Sequence, residues 1–272
     1  MPTKLLTGIL LILLTSCSTS KQLINPTDAA TQVVDIEMAA RSFEVDKLGR
    51  IYLLDQRNQL HLFSPTFQKL YNYNNNRLGK LETIDVSNPL KILLFYRDFD
   101  MVVLLDTYLG ETRIIDLKAF NYFNIPAICL SNDNQIWLYN LVDFKLHKIN
   151  ERGKEVNESL SLLDRNIGDF VPQKIIETGN YVMMNDPEKG LILFDNFGQF
   201  IKQIPILGIE DFQSDGQYII YKKGNQIYNY SIRAVAEKAI EFEEEYIGIK
   251  KARFQGNQAY FLFENGLKRQ KY

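Results

Sequence analysis

Short apolar runs alternate with polar turns along most of this chain, and one unit recurs: an apolar strand, a polar turn residue, then another strand. It is seen in Leu60-His61-Leu62-Phe63-Ser64, Arg113-Ile114-Ile115-Asp116, Leu146-His147-Lys148-Ile149-Asn150, Ile192-Leu193-Phe194-Asp195 and Ile227-Tyr228-Asn229-Tyr230-Ser231. The turn residues Ser64, Asp116, Asn150, Asp195 and Ser231 follow one another at 52, 34, 45 and 36 residues, a mean of about 42. Ser, Asp and Asn suit that place because their short side chains bond the local backbone and start turns. A second series of hairpin turns runs in phase: Asp46–Arg50, Arg97–Asp100, Asn132–Gln135, Thr178–Asn180, Asp215-Gly216 and Gly256-Asn257. Each leads into a β-branched or aromatic strand, such as Met101–Leu105, Ile136–Tyr139 and Tyr260–Phe263.

Six units of about 43 residues, each with room for four strands, predict an all-β fold: a six-bladed β-propeller of four-stranded antiparallel blades. The last unit is one strand short. Thr31–Glu37, at the other end of the domain, is a spare strand that would pair beside Leu267–Tyr272, closing the ring and removing two sheet edges. On this phasing blade two carries an insertion and blade three is short, so five or seven blades stay open. A pair of β-sandwiches is a rival, and so is a parallel β-helix, although its period is nearer 20–25 residues. Ala234–Ile240 has helical composition and is expected to form a short helix on blade five. The unit Gly190-Leu191-Ile192-Leu193-Phe194-Asp195-Asn196-Phe197-Gly198-Gln199-Phe200-Ile201-Lys202-Gln203-Ile204 is similar to blades of the NHL and TolB-like six-bladed propellers. That resemblance covers residues 32–272 as architecture, with blades one, four and five matching best.

The segment before the repeats changes where the protein is expected to work. Lys4, the apolar run Leu5–Leu14 and Thr15-Ser16-Cys17 read as a secretory leader, too short to span a bilayer. Leu14-Thr15-Ser16-Cys17 resembles a bacterial lipobox, which implies cleavage after residue 16 and acylation of Cys17, palmitate included. The expected organisation is therefore a leader over 1–16, a lipidated tether over 17–30 and a propeller over 31–272. Several acyl chains on Cys17 would hold the domain firmly to a membrane. Ser18 is not the Asp that marks inner-membrane retention, which favours the outer membrane. The neutral-to-basic residues that follow favour its periplasmic face over the cell surface.

Apolar residues make up 46% and charged residues 24% of the chain, enough for a sizeable core. The net charge of −2 has no basic stripe, which argues against nucleic acid. Cys129, in the apolar run Ala127–Leu130, reads as a buried small hydrophobe rather than a nucleophile. His61 and His147 occupy equivalent repeat positions and read as packing residues, with no Cys or carboxylate at ligand spacing, so no metal site and no cofactor are expected. Hydrolase, P-loop and dinucleotide motifs are absent from the sequence. Glu241–Tyr246 and Asn72–Arg77 are expected to be solvated loops, with sugar stacking by Tyr71 or Tyr73 the lesser alternative.

In propellers of the resembled class, partners meet the loops joining second to third strands and those joining blades. The repeat places Arg57, Tyr108, Phe144, Lys189, Lys222 and Lys223 on that rim, joined by the apolar inter-blade stretch 160–172, which either packs down or docks a partner. The expected role is a non-enzymatic binding or scaffold subunit of a cell-envelope complex, such as one for outer-membrane protein assembly or transport. A carbohydrate- or peptidoglycan-binding propeller is the alternative, and a propeller hydrolase or lyase ranks last.

Overall fold

The computed structural model describes residues 34–165, 167–242 and 247–272; the leader, Cys17, the tether and most of the acidic run 241–246 lie outside them. The described chain folds into six antiparallel sheets, each a meander of consecutive strands set radially as a propeller blade. Blade one holds β1 (Ala40–Val45), β2 (Ile51–Asp55), β3 (Leu60–Phe63) and β4 (Lys69–Tyr73). Blade two holds β5 (Thr83–Asn88), β6 (Lys91–Tyr96), β7 (Met101–Leu105) and β8 (Glu111–Asp116), and blade three β9 (Ile128–Leu130), β10 (Ile136–Asn140), β11 (Lys145–Ile149) and β12 (Glu155–Glu158). Blade four follows with β13 (Lys174–Thr178), β14 (Tyr181–Asp186), β15 (Gly190–Asp195) and β16 (Phe200–Ile204). Blade five comprises β17 (Phe212–Ser214), β18 (Tyr218–Lys223), β19 (Gln226–Ser231) and β20 (Ala236–Ala239), and blade six β21 (Lys251–Gln255), β22 (Gln258–Leu262) and β23 (Leu267–Lys271).

The position of the fourth strand of blade six is taken from the other end of the domain, as the repeat predicts. Ile36 bridges Leu267 antiparallel: Leu267 N–H donates to the Ile36 carbonyl at 3.0 Å, and the Asp35 and Ile36 N–H groups donate to the Leu267 carbonyl at 2.8 and 3.1 Å. Among the described residues this pairing is a single bridge rather than a full strand.

Middle strands read as unbroken apolar runs because both faces of each blade are covered by a neighbour. In β6, Ile92, Leu94 and Tyr96 pack toward blade one while Leu93 and Phe95 pack toward blade three. Outer strands such as β4 and β12 are largely exposed and correspondingly polar. One expectation fails here: Ala236–Ala239 pairs with Tyr228–Ser231 as the outer strand β20, not as a helix. A four-residue alanine-rich segment gains more from ladder hydrogen bonds beside β19 than from a single isolated helical turn.

The polar turn residues act as the sequence suggests. Asp195 Oδ1 accepts from the N–H groups of Phe197 at 2.9 Å and Gln199 at 2.8 Å, while Gly198 takes φ 76°. Ser64 bonds Thr66 and Gln68 in the same way, and Asn150 bonds Arg152 and Lys154. In blade two, however, the equivalent residue is Asp106, bonding Tyr108 and Gly110, rather than Asp116, which ends β8. With Asp106 restored, the first four turns recur every 42 to 45 residues, and the apparent insertion and short blade vanish. Asp195→Ala is expected to cost about 1–2 kcal/mol, the loss of two hydrogen bonds to an ionised group at a half-exposed turn, read as a shift in urea midpoint without a change of slope.

Candidate functional site: a plugged channel and its cationic rim

Each meander places its 1–2 and 3–4 turns at one end of the propeller, and its 2–3 turn and blade-to-blade connection at the other. The inner strands surround the axis and supply its charged residues. Glu44 on β1 and Arg253 on β21 meet in a two-pronged contact, Arg253 Nε donating to Oε2 at 2.6 Å and Nη2 to Oε1 at 2.8 Å. Arg253 Nη1 also lies 2.7 Å from Oδ2 of Asp211, just before β17. Lys174 of β13 bonds Asp211 at 2.7 Å, and Lys251 bonds Glu44 at 2.8 Å and the Ser42 hydroxyl at 2.9 Å. Three cations thus share two carboxylates, the five residues coming from blades one, four and six and the start of blade five. Burial alone would raise the Glu44 carboxyl, but Arg253, Lys251 and Lys174 outweigh it and hold it down at about 2. Asp211 stays well below the usual carboxylate range on the same balance of burial against Arg253, Lys174 and Lys251.

This cluster divides the axial space. Toward the 1–2 turns lies a cavity of about 230 Å³ lined by Glu44, Asp85, Glu177, Gln213 and Arg253, one residue from each of five inner strands. Its remaining carboxylates have partners: Asp85 accepts from the N–H groups of Ser87 and Leu130 at 2.8 and 2.7 Å, and Glu177 from Trp137 Nε1 at 2.6 Å. Burial raises the Asp85 carboxyl. On the other side a second cavity, of about 250 Å³, opens at the far end between blades five and six, lined by Lys222, Lys223, Lys250, Lys251 and Arg253 against Glu210 and Asp211. It is cationic in excess.

The sequence-predicted rim is partly assembled. Arg57 in the β2–β3 turn, Phe144 in β10–β11, Lys189 in β14–β15, and Lys222 and Lys223 at the end of β18 all lie at the same end of the propeller. Lys222 and Lys223 line the second cavity together. Lys189 is paired with Asp169 of the connection between blades three and four. Phe144 is half-buried against the core shared by those blades, at φ 57°, so it is chiefly a packing residue. Tyr108 does not belong to this rim. It sits in the β7–β8 turn at the opposite end, edge-on to Tyr71 with ring centroids 5.5 Å apart, and the true β6–β7 turn is Arg97–Asp100. The same one-strand misphasing that chose Asp116 over Asp106 put Tyr108 there. Tyr73 is also withdrawn from sugar stacking, being buried with its hydroxyl on Glu111 at 2.6 Å.

The connection between blades three and four packs down in part and leaves other apolar side chains at the surface. Leu162 and Phe170 are fully buried, whereas Leu160, Leu163 and Val171 are 59, 48 and 45% exposed. Leu162 N–H donates to the Phe144 carbonyl, Ser161 Oγ to that of Asp143, and Val171 N–H to Asp186 Oδ2, so the loop is pinned while it holds apolar side chains out. Cys129 is buried beside Trp137 in the core. Burial, then Asp85 and Glu177, push its thiol up, the reverse of an activated nucleophile.

Sequence reasoning missed the inner-strand charges and one cluster in blade three. His147 on β11 lies 2.9 Å from Asp143 Oδ2 through Nε2 and 2.7 Å from Glu155 Oε2 through Nδ1, with Glu158 beside it. The spacing looked barren because the carboxylates arrive across a hairpin rather than along a strand.

No family model matches the chain, and no curated protein matches it in sequence. Its fold is shared with several solved structures. The WD40 domain of Pan2 from Neurospora crassa aligns with TM-score 0.58 and 10% identity over 83% of this chain and 73% of that one. Virginiamycin B lyase from Staphylococcus aureus aligns with TM-score 0.56 and 10% identity over 88% and 86%. PorZ of Porphyromonas gingivalis, an essential surface component of the type-IX secretion system, aligns with TM-score 0.55 and 11% identity over 85% of this chain and 30% of its own. The chain is thus an all-β, six-bladed propeller similar in fold both to a lyase and to a WD40 domain.

Proposed function

We propose that the chain is a lipid-anchored propeller that binds a protein partner in the cell envelope and performs no catalysis itself. Cys17 carries the acyl chains, the outer membrane is the surface and the periplasmic side its setting. The observation that carries the reading is the connection between blades three and four, pinned at Ser161, Leu162 and Val171, which spends Leu162 and Phe170 on its own packing and still presents Leu160, Leu163 and Val171 to solvent. At the same end of the propeller, the cationic cavity of Lys222 and Lys223 between blades five and six suits a partner with acidic side chains. The axial carboxylates nearest the plug are committed to lysine and arginine, which supports binding over chemistry. PorZ, a surface component of a secretion system, is a precedent for such a fold in an envelope assembly.

The exposed Tyr71–Tyr108 pair at the opposite end favours a second reading, in which two aromatic faces stack on a glycan. One experiment separates the two. Full-length tagged protein is extracted from its own membranes in mild detergent, and its retained proteins are compared among variants. Leu160→Asp with Leu163→Asp is expected to abolish retention, Lys222→Glu with Lys223→Glu to weaken it at least tenfold, and Tyr71→Ala with Tyr108→Ala to leave it intact. Cys17→Ala should release the chain from the membrane fraction. Retention untouched by the rim variants, or peptidoglycan binding lost only with the tyrosines, would overturn the protein-binding reading.

A further inference from the structure

His147 is 5% exposed at its side chain, yet both ring nitrogens face carboxylate oxygens. A neutral imidazole has one N–H. If Nε2 donates to Asp143, the Nδ1 lone pair points at Glu155 Oε2, 2.7 Å away, and toward Glu158 Oε2 at 3.9 Å. Three electron-rich atoms then converge within 4.8 Å of one another. A carboxylate behind one nitrogen and carboxylate oxygens before the other is the arrangement that orients a histidine toward a metal ion.

The backbone makes the convergence possible. His147 sits directly across from Glu158, and in a regular ladder Glu155, three residues earlier, would face away. A bulge shifts the register so that Ile149 faces Glu155, which leaves Val156 as the extra residue and returns Glu155 to the face of His147.

Blade one supplies an internal comparison. His61 occupies the same place on β3, with Asp55 Oδ2 at 3.0 Å from its Nε2. There the outer-strand positions are Lys69 opposite Phe63 and Asn72 opposite His61, and His61 Nδ1 has no hydrogen-bond partner. The Asp–His pair therefore recurs in two blades and needs no glutamate. The two glutamates are what blade three adds.

We propose that His147 Nδ1, Glu155 and Glu158 bind one Zn²⁺, with Asp143 orienting the imidazole from behind and water completing the tetrahedron. One imidazole and two carboxylates form a compact set that Zn²⁺ accepts in four-coordinate geometry. Both carboxylates are more than two-fifths exposed, so the ion arrives directly from solvent. Lys145 competes for the site: its Nζ holds both oxygens of Glu158 at 2.9 Å.

The test is a ZnCl₂ titration of the metal-stripped full chain by calorimetry, with the bound metal counted after dialysis. One Zn²⁺ per chain is expected. Glu155→Gln with Glu158→Gln, exposed positions that leave the fold intact, should weaken binding at least 100-fold. Asp143→Asn should weaken it about 10- to 100-fold, as loss of an orienting partner does. Lys145→Met should tighten it several-fold, a gain that a merely structural role for this cluster does not provide. Absence of stoichiometric Zn²⁺, or equal affinity in the double glutamine variant, would overturn the proposal.

Discussion

Arg253→Met is expected to destabilise the propeller by about 2–3 kcal/mol, less than the full cost of breaking a buried pair because Glu44 and Asp211 are only partly buried, and it leaves them beside two lysines that cannot satisfy all four oxygens. The effect has a pH signature whose sign follows from the carboxyls. Both are depressed in the folded state, Glu44 to about 2, against values near 4 in an unfolded chain. Their contribution is therefore present above about pH 5 and is lost as the pH falls through 4 toward 2. Urea midpoints of the wild type should drop steeply over that interval, and those of Arg253→Met should start lower and fall less. A variant as stable as the parent at pH 7, or with the parent's acid slope, would show that the plug is not an energetic keystone.

Gly266→Val is expected to unfasten the ring. A β-carbon at 266 would run into the carbonyl oxygen of Ile36, which receives the Leu267 N–H. To make room the segment Asp35–Ile36 must leave β23, giving up three backbone hydrogen bonds and the contact of the Asp35 carboxylate with the Arg269 N–H at 2.6 Å. It also exposes Ile36, buried against Phe43, Leu262 and Leu267. At about 0.5–1.5 kcal/mol per bond and about 1.5–3 for the side chain, the loss is about 5 kcal/mol. Gly266→Ala should fall most of the way to the same value, since it introduces the same offending atom. Thermal midpoints of the two variants check this, and an unchanged midpoint in either would contradict the closure geometry.

The architecture was legible because blades one to four repeat the same physical solution: a middle pair of largely apolar strands, followed by a turn residue that bonds its own backbone. Leu191–Asp195 shows it in full. Phasing slipped only in blade two, where Asp106 and Asp116 both follow apolar strands and a single sequence gives no reason to prefer the first. That slip carried Tyr108 to the wrong end. The axial charges were harder to see. Glu44, Asp211 and Arg253 are scattered over more than two hundred residues, and inner strands look like ordinary amphipathic strands until the ring brings them together. The His147 cluster was hidden for a local reason, since alternation along β12 assigns Glu155 and Glu158 to opposite faces.

The displaced register at the outer hairpin is not peculiar to blade three. Blades one, two and four carry it at the corresponding place, after Leu62, Leu104 and Leu193. In each, two side chains three apart, such as Lys69 and Asn72 or Phe200 and Gln203, come to share a surface, a relation ordinarily found on helices. The circumference of the wheel therefore offers four copies of a small two-residue display beside a fixed third-strand position. Where those positions are exposed, as at Lys69, Asn72, Glu111 and Ile114, sequence can diversify without touching the cores between blades, so new recognition can be written on the perimeter at little cost to the hub.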